Sequence, residues 1–262
     1  MKPFLKWCGS KRQPYIVDKA RAMISPSQFW VEPFLGSGAL PLALEIKSGI
    51  FADTNKHLVE LWEWVKSDGR VTLDFYPLNT PERYLEIRQQ FNAIRDSASP
   101  IKSQLFYYLN QTCFNGLTRF NRDGYYNVPY GKNAKGEPKQ ITYLQSFTEY
   151  KHQIKKWNFF HQDFRQTISD APTGSVIYCD PPYHNTFASY TDTPFTLDDQ
   201  LALIEVLKER NDCQIIVSNS SAIERLYKEA GFTTELLTVA RTISAKAASR
   251  GKTQELFATL GF

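Results

Sequence analysis

Short apolar, β-branched runs alternate with longer amphipathic stretches over most of this chain, a rhythm that predicts strands and helices wound alternately. Strand signals fall at 29–34, 50–52, 157–161, 175–178, 214–219, 234–239 and 255–260. Helical periodicity covers 13–23, 39–46, 57–65, 82–95, 101–111, 164–168, 196–210 and 221–230. The pattern predicts an open, mostly parallel α/β sheet. The last two strand signals follow one another with no helix between them, which implies an antiparallel pair at the sheet edge. Between 56 and 157 the rhythm breaks into helices and a turn-rich stretch. That segment reads as an insertion into one domain built from 1–55 and 158–262.

Strand ends carry the candidate chemistry, because ligands of open α/β sheets bind beyond the carboxyl ends of the strands. Ser175-Val176-Ile177-Tyr178 reads as a buried parallel strand. It runs into Cys179-Asp180-Pro181-Pro182-Tyr183, where two prolines without N–H groups end the ladder. A carboxylate, a rigid carbonyl and an aromatic ring are left at its tip. Those groups suit holding a planar amine, whereas a plain Pro-Pro turn with a surface Asp is the competing reading.

Gly36-Ser37-Gly38 lies between a strand and a helix, the first half of a nucleotide-binding unit, although a lone G-x-G is a weak signal. Asp53 ends the next strand signal, where it would accept from two ribose hydroxyls or cap the helix after it. No phosphate-binding lysine signature accompanies them, so an adenosyl ligand without phosphates is expected. Asp163 would meet an adenine amino group or cap 164–168. Near the start, Trp7 and Lys11 flank Gly9, an arrangement able to clasp a zwitterion or to serve only as core and solvated surface.

Asp123-Gly124 among aromatic residues signals a hairpin. Arg119, Arg122 and Lys132 lie on it, with Lys135 and Lys139 after it; basic residues interleaved with aromatics suit phosphate contact and insertion between bases. Residues 184–195 form a polar-aromatic loop that would close over a substrate. Arg241, Lys246 and Arg250 lie in a second basic loop.

Bulk properties narrow this further. The 262 residues carry a net charge of +4, which permits a nucleic-acid partner without requiring one. Four cysteines without a C-x-x-C pair and four histidines without a ligand spacing predict no metal site. The basic N-terminus lacks an apolar run behind it, and no segment has the length of a membrane span. A cytoplasmic protein is expected, bacterial or made by a phage in a bacterial host, monomeric and without an obligate protein partner.

Taken together, these fragments resemble the Dam-type DNA adenine-N6 methyltransferases over nearly the whole chain. The resemblance rests on Phe4-Leu5-Lys6-Trp7, Gly9 and Lys11; Glu32-Pro33-Phe34 and Gly36-Ser37-Gly38; Ala52-Asp53 and Asn55; Asn115-Gly116-Leu117 and Arg119. It continues through Asn127-Val128-Pro129 and Gly131, Asp180-Pro181-Pro182-Tyr183, Ser218-Asn219, Arg241, Ile243 and Arg250. It implies a Rossmann-like S-adenosylmethionine methyltransferase sheet with an inserted target-recognition domain at 56–157. Trp7, Lys11, Phe34, Gly36, Ser37, Gly38, Asp53, Asp163 and Asp180 would then hold S-adenosylmethionine, and Asp180 to Tyr183 would be catalytic.

The resemblance also implies contacts with double-stranded DNA through Phe114, Asn115, Leu117, Arg119, Asn121, Pro129, Lys132, Arg241, Lys246 and Arg250. Within that set Arg119 would read a guanine, Phe114 and Asn115 would wedge the base stack, and GATC is the leading target. Lys132 stands where relatives often carry arginine, an exchange that a phosphate contact survives better than a bidentate base contact. Cys8 and Ser10 depart from the small residues usual in the family's glycine turn. Cytosine-N4, RNA-adenine and protein-glutamine methylation, and a DNA-binding module with a dead cofactor site, are the competing readings. Cytosine-C5 chemistry is disfavoured, because Cys179 does not follow a proline.

Overall fold

All seven strand signals join a single sheet in a computed structural model that describes every residue except 8, 10, 12, 13, 74–78, 133–135, 137–145, 184–194 and 241–251. Its strands are β1 (Trp30–Glu32), β2 (Gly49–Asp53), β3 (Trp157–His161), β4 (Val176–Cys179), β5 (Gln214–Ser220), β6 (Thr233–Ala240) and β7 (Lys252–Leu260). They lie in the order β3-β2-β1-β4-β5-β7-β6. The order reverses direction between β1 and β4, which opens a crevice beyond their carboxyl ends. Pairings are parallel from β3 to β5, and β7 runs antiparallel to both β5 and β6. The final two strands thus form the antiparallel pair at the sheet edge that the sequence pattern implies. Strand β7 returns into the gap beside β5 and leaves β6 outermost.

Helices α1 (Pro14–Met23), α2 (Ala39–Ala43), α3 (Lys56–Ser67), α7 (Phe164–Ser169), α8 (Leu197–Lys208) and α9 (Glu224–Glu229) accompany the sheet. The long helical pattern at 39–46 closes early, since Glu45 adopts φ 57. Helix α3 begins at an Asn55 cap whose side chain accepts from the N–H groups of His57 and Leu58. Its Trp62 stacks on Phe159 of β3 at 5.6 Å, so this first part of the inserted segment packs on the sheet.

Within the insertion, α4 (Pro81–Ala93) and α5 (Pro100–Thr112) pair, and α6 (Thr148–Ile154) leads back to β3. Both α4 and α5 start on hydroxyl caps, Thr80 and Ser99, each followed by Pro at the first turn. Phe91, Phe106, Tyr126 and Phe147 belong to the same apolar cluster as Trp30, Phe51 and Trp157 of the sheet. Insertion and sheet thus share one continuous core.

The hairpin signal at Asp123-Gly124 resolves into a turn whose arms pair through two isolated antiparallel bridges, Phe120 to Tyr126 and Cys113 to Tyr130, without a continuous ladder. Side chains of α4 add to that pairing. Asn92 of α4 accepts from the Tyr126 N–H at 2.8 Å and donates to its C=O at 3.2 Å. Tyr84 donates to the Val128 carbonyl at 2.8 Å. Pairing with a helix satisfies those backbone groups as well as a second strand would.

Candidate active site

The glycine turn after β1 is lashed to the end of β2. Gly36 N–H donates to Asp53 Oδ2 at 3.0 Å, and Asn55 N–H donates to Asp53 Oδ1 at 2.9 Å. Burial raises the Asp53 pKa, and these backbone donors oppose that rise. Gly36 and Gly38 adopt φ of 48 and 58, in the left-handed region. A Cβ on Gly36 would stand 2.8 Å from the Trp7 indole, and one on Gly38 would stand 3.0 Å from Trp62. The Trp62 N–H in turn donates to the Gly36 carbonyl at 3.2 Å. Two tryptophans therefore fix a turn that only glycine fits. A carboxylate with remaining acceptor capacity beside a side-chain-free turn fits an adenosyl group better than a phosphate.

The N-terminal segment reaches this turn because the insertion clasps it. Asn110 of α5, fully buried, accepts from the Lys6 N–H at 3.0 Å and donates to the Lys6 carbonyl at 2.8 Å. Gln111 donates to the Phe4 carbonyl at 2.9 Å. Trp7 is delivered to Gly36, and Lys11 to the end of β4.

There the Lys11 ammonium, 4% exposed, lies 3.1 Å from Asp180 Oδ1 and 3.9 Å from Glu255 Oε2 of β7. It also sits 4.6 Å from the centre of the Tyr183 ring, a cation–π distance. Burial raises the Asp180 carboxyl to about 6; Lys11 pulls it down and Glu255 pushes it up. Beneath this group Tyr178 stacks on Trp30 at 5.7 Å and donates to Ser218 Oγ at 3.1 Å. Burial pushes the Cys179 thiol well above its ordinary range, which makes it a poor nucleophile. The site offers buried acceptors and an aromatic face, not a covalent attacker.

Of the other residues singled out in the sequence, Phe34 stacks on Phe164 at 5.6 Å and meets Phe195, beside the glycine turn. Ser37 is buried within that turn. Asp163 caps α7 by accepting from the Arg165 N–H at 2.9 Å and pairs with the Arg165 guanidinium at 3.2 Å. The cap it offered in sequence is formed, and a half-exposed carboxylate in that role is compatible with an adenine contact.

On the insertion, Phe114 is 44% exposed, and Asn115 beside it holds φ 53, an unusual conformation for a residue with a Cβ. The Phe114 N–H donates to the Pro129 carbonyl at 2.9 Å, so the exposed ring stands on a braced base. The Leu117 carbonyl accepts from the Tyr126 hydroxyl at 3.0 Å. Arg119 is exposed; its Nε donates to Asn127 Oδ1 at 2.7 Å and its Nη2 to the Asn127 carbonyl at 3.5 Å, which orients the guanidinium. Asn121 Oδ1 accepts from the N–H of Asp123 and of Tyr125, so this side chain braces the turn. Lys132 is exposed. Arg241, Lys246, Arg250 and most of the loop at 184–195 lie outside the described residues.

Three polar residues near Asp180 were given no site role in the sequence, although Glu32 lies in the Glu32-Pro33-Phe34 fragment. Glu32, at the end of β1, accepts from the Trp30 indole at 2.8 Å, and burial raises its pKa well above the ordinary value. Glu255 reaches Lys11 from β7, and Gln200 of α8 donates to the Pro182 carbonyl at 3.0 Å. No local motif marks Glu255 or Gln200; a polar residue within an otherwise apolar strand was the available signal for Glu255.

Residues 7–244 match the family described as D12 class N6 adenine-specific DNA methyltransferase. The chain is 34% identical over 272 residues to the retron Ec67 DNA adenine methylase of Escherichia coli, spanning 100% of this chain and 92% of that protein. It is 34% identical over 273 residues to the DNA adenine methylase of Vibrio cholerae, covering 97% and 94% of the two chains. The type II methyltransferase M1.LlaDCHI of Lactococcus lactis subsp. cremoris is 32% identical over 282 residues, covering 99% and 95%. The matches span nearly the whole chain, sheet and inserted segment alike, and the chain belongs to the D12 class N6 adenine-specific DNA methyltransferase family, whose reaction methylates adenine N6 in DNA.

Proposed function

We propose that Asp180 and the Pro181 carbonyl accept the two N–H groups of an extruded target adenine, with S-adenosylmethionine as methyl donor and GATC as target. The half-buried Asp180 carboxylate, held at a proline-capped strand end and paired with Lys11 beside the Tyr183 ring, carries this reading. Adenine's exocyclic nitrogen is conjugated with its ring and is a weak nucleophile. Two acceptors on its N–H groups draw it towards tetrahedral geometry and free its lone pair. They also stabilise the positive charge that grows on nitrogen during transfer. Orientation lowers the barrier further, because the reacting nitrogen is held in one pose.

S-adenosylmethionine, when bound, supplies an electrophilic methyl group. Gly36, Ser37, Gly38 and Asp53 would hold its adenosyl part, with Trp7, Lys11 and Phe34 around it. Lys11 is shared between donor and acceptor sides and keeps Asp180 ionised. Tyr183 stacks on the extruded base; flipping costs a few kcal/mol, and stacking returns ~1–3 kcal/mol.

The inserted segment supplies the DNA contacts. Exposed Phe114 on its braced turn is the wedge, Arg119 reads a guanine, and Arg122 and Lys132 meet phosphates. The GATC proposal rests on the sequence match around Arg119. Exposing plasmid to the protein and methyl-labelled donor, then locating the modified base by sequencing, tests the reading. Label on adenine within GATC is expected; label elsewhere, or none with folded protein, would overturn it.

A further inference from the structure

Gln200 lies in the first turn of α8, directly after a capping box in which Thr196 and Asp199 bond reciprocally. It is fully buried. Its Nε2 donates to the Pro182 carbonyl at 3.0 Å, and its Oε1 accepts from Asn219 Nδ2 at 2.9 Å. Asn219, also fully buried, stands near the end of β5, the parallel neighbour of β4. Its own Oδ1 accepts from the Ser220 N–H at 2.8 Å. The amide chain therefore has a fixed direction, from Asn219 through Gln200 to Pro182.

The prolines make that bond consequential. Neither Pro181 nor Pro182 has an N–H, so no ladder bond donated from this turn can hold it. The Pro182 ring fixes φ, which leaves ψ of Pro182 as the one soft torsion between the Pro181 carbonyl and the peptide leading to Tyr183. Anchoring the Pro182 carbonyl from outside sets that torsion. It thereby sets both an acceptor for the target amine and the ring on which the base stacks. A glutamine suits the task because one amide donates to a carbonyl while accepting from another amide.

We propose that Gln200, oriented by Asn219, is a positioning residue that fixes the Pro181 carbonyl and the Tyr183 ring for methyl transfer. The inference rests on the role given above to Asp180 and Pro181, and it adds two residues to that site without direct contact with the target base.

The test is the single-turnover methyl-transfer rate of Gln200→Met, which keeps the volume and drops both bonds. It is measured beside duplex affinity, KM for donor and thermal midpoint. The expected result is a rate loss of up to roughly 100-fold, the scale of an ångström-level misplacement, with duplex affinity and KM for donor unchanged. Asn219→Asp removes the donor to Gln200 more gently and should lower the same rate, serving if Gln200→Met does not fold. In the double variant the losses should not add, since both residues act through one bond. An unchanged rate per folded molecule, or a loss confined to KM or stability, would overturn the inference. Asp180→Ala run in parallel separates the outcomes: if it retains activity the acceptor reading fails, and if it alone is inactive only the role of Gln200 fails.

Discussion

Lys11 Nζ lies 3.1 Å from Asp180 Oδ1, joining the N-terminal segment to the residue that follows β4. Each changes what the other can do. The ammonium offsets part of the cost of burying the carboxylate, and the carboxylate fixes the ammonium over Tyr183.

A pH limb follows from this pair. Ionised Asp180 is the stronger acceptor for an amine N–H and the form that stabilises positive charge on nitrogen, and burial has raised its carboxyl to about 6. The rate of methyl transfer should fall as pH drops through about 6, read from a pH profile of single-turnover rates. The sign for stability is opposite. The folded value lies above the unfolded value of about 4, so this group's stabilising contribution is present at low pH and diminishes as pH rises through that window.

Neighbouring charges should move the limb in opposite directions. Lys11→Met removes the group that lowers the Asp180 pKa, so the limb should shift to higher pH. Glu255→Gln removes a charge that raises it, so the limb should shift to lower pH. Matching shifts in both variants would contradict the electrostatic account, whereas a change in rate without any shift would point to packing alone.

Gly36→Ala tests the glycine turn. A Cβ at 2.8 Å from the Trp7 indole, on a backbone with φ 48, forces the ring or the turn to move. Affinity for S-adenosylmethionine, followed by equilibrium dialysis, should weaken, while the duplex still binds. Unaltered donor affinity would remove this turn from the proposed donor site.

The strap that carries Trp7 and Lys11 has its own prediction. Asn110→Ala leaves the Lys6 N–H and carbonyl without their buried partner. Denaturant unfolding should show a loss of about 0.5–1.5 kcal/mol for each hydrogen bond removed. Because the same strap delivers Lys11, the remaining folded enzyme should also transfer methyl more slowly.

Arg119→Ala should relax sequence choice and cost about 1–3 kcal/mol at the guanine it reads. Competition between duplexes that differ at one base pair checks this. Selectivity that survives the substitution would move base reading elsewhere on the insertion.

Much of this was legible before any coordinates. The buried strand ending in Asp180-Pro181-Pro182-Tyr183 announces itself because two prolines must stop a ladder, and β4 ends at Cys179 accordingly. The glycines and Asp53 were legible as a turn and a strand end; that one hydrogen-bonds the other was not. Glu255 escaped notice because β7 inserts between β5 and β6, a placement set by long-range pairing and not by any local signal. Gln200 reads in sequence only as a helix residue after a cap. Its partners, Pro182 and Asn219, meet it through the β4–β5 pairing. At Asp123-Gly124 the turn chemistry was legible, but that the outward N–H and C=O of Tyr126 pair with Asn92 of α4 was not, because no turn residue encodes a long-range partner.

The most direct test of the central claim is methyl transfer by Asp180→Ala to a duplex carrying the target adenine, measured under single-turnover conditions alongside duplex binding. The account predicts a loss of at least roughly 100–1000-fold, the scale of removing one transition-state partner, with the duplex still bound. Transfer at an undiminished rate by the folded variant would contradict it.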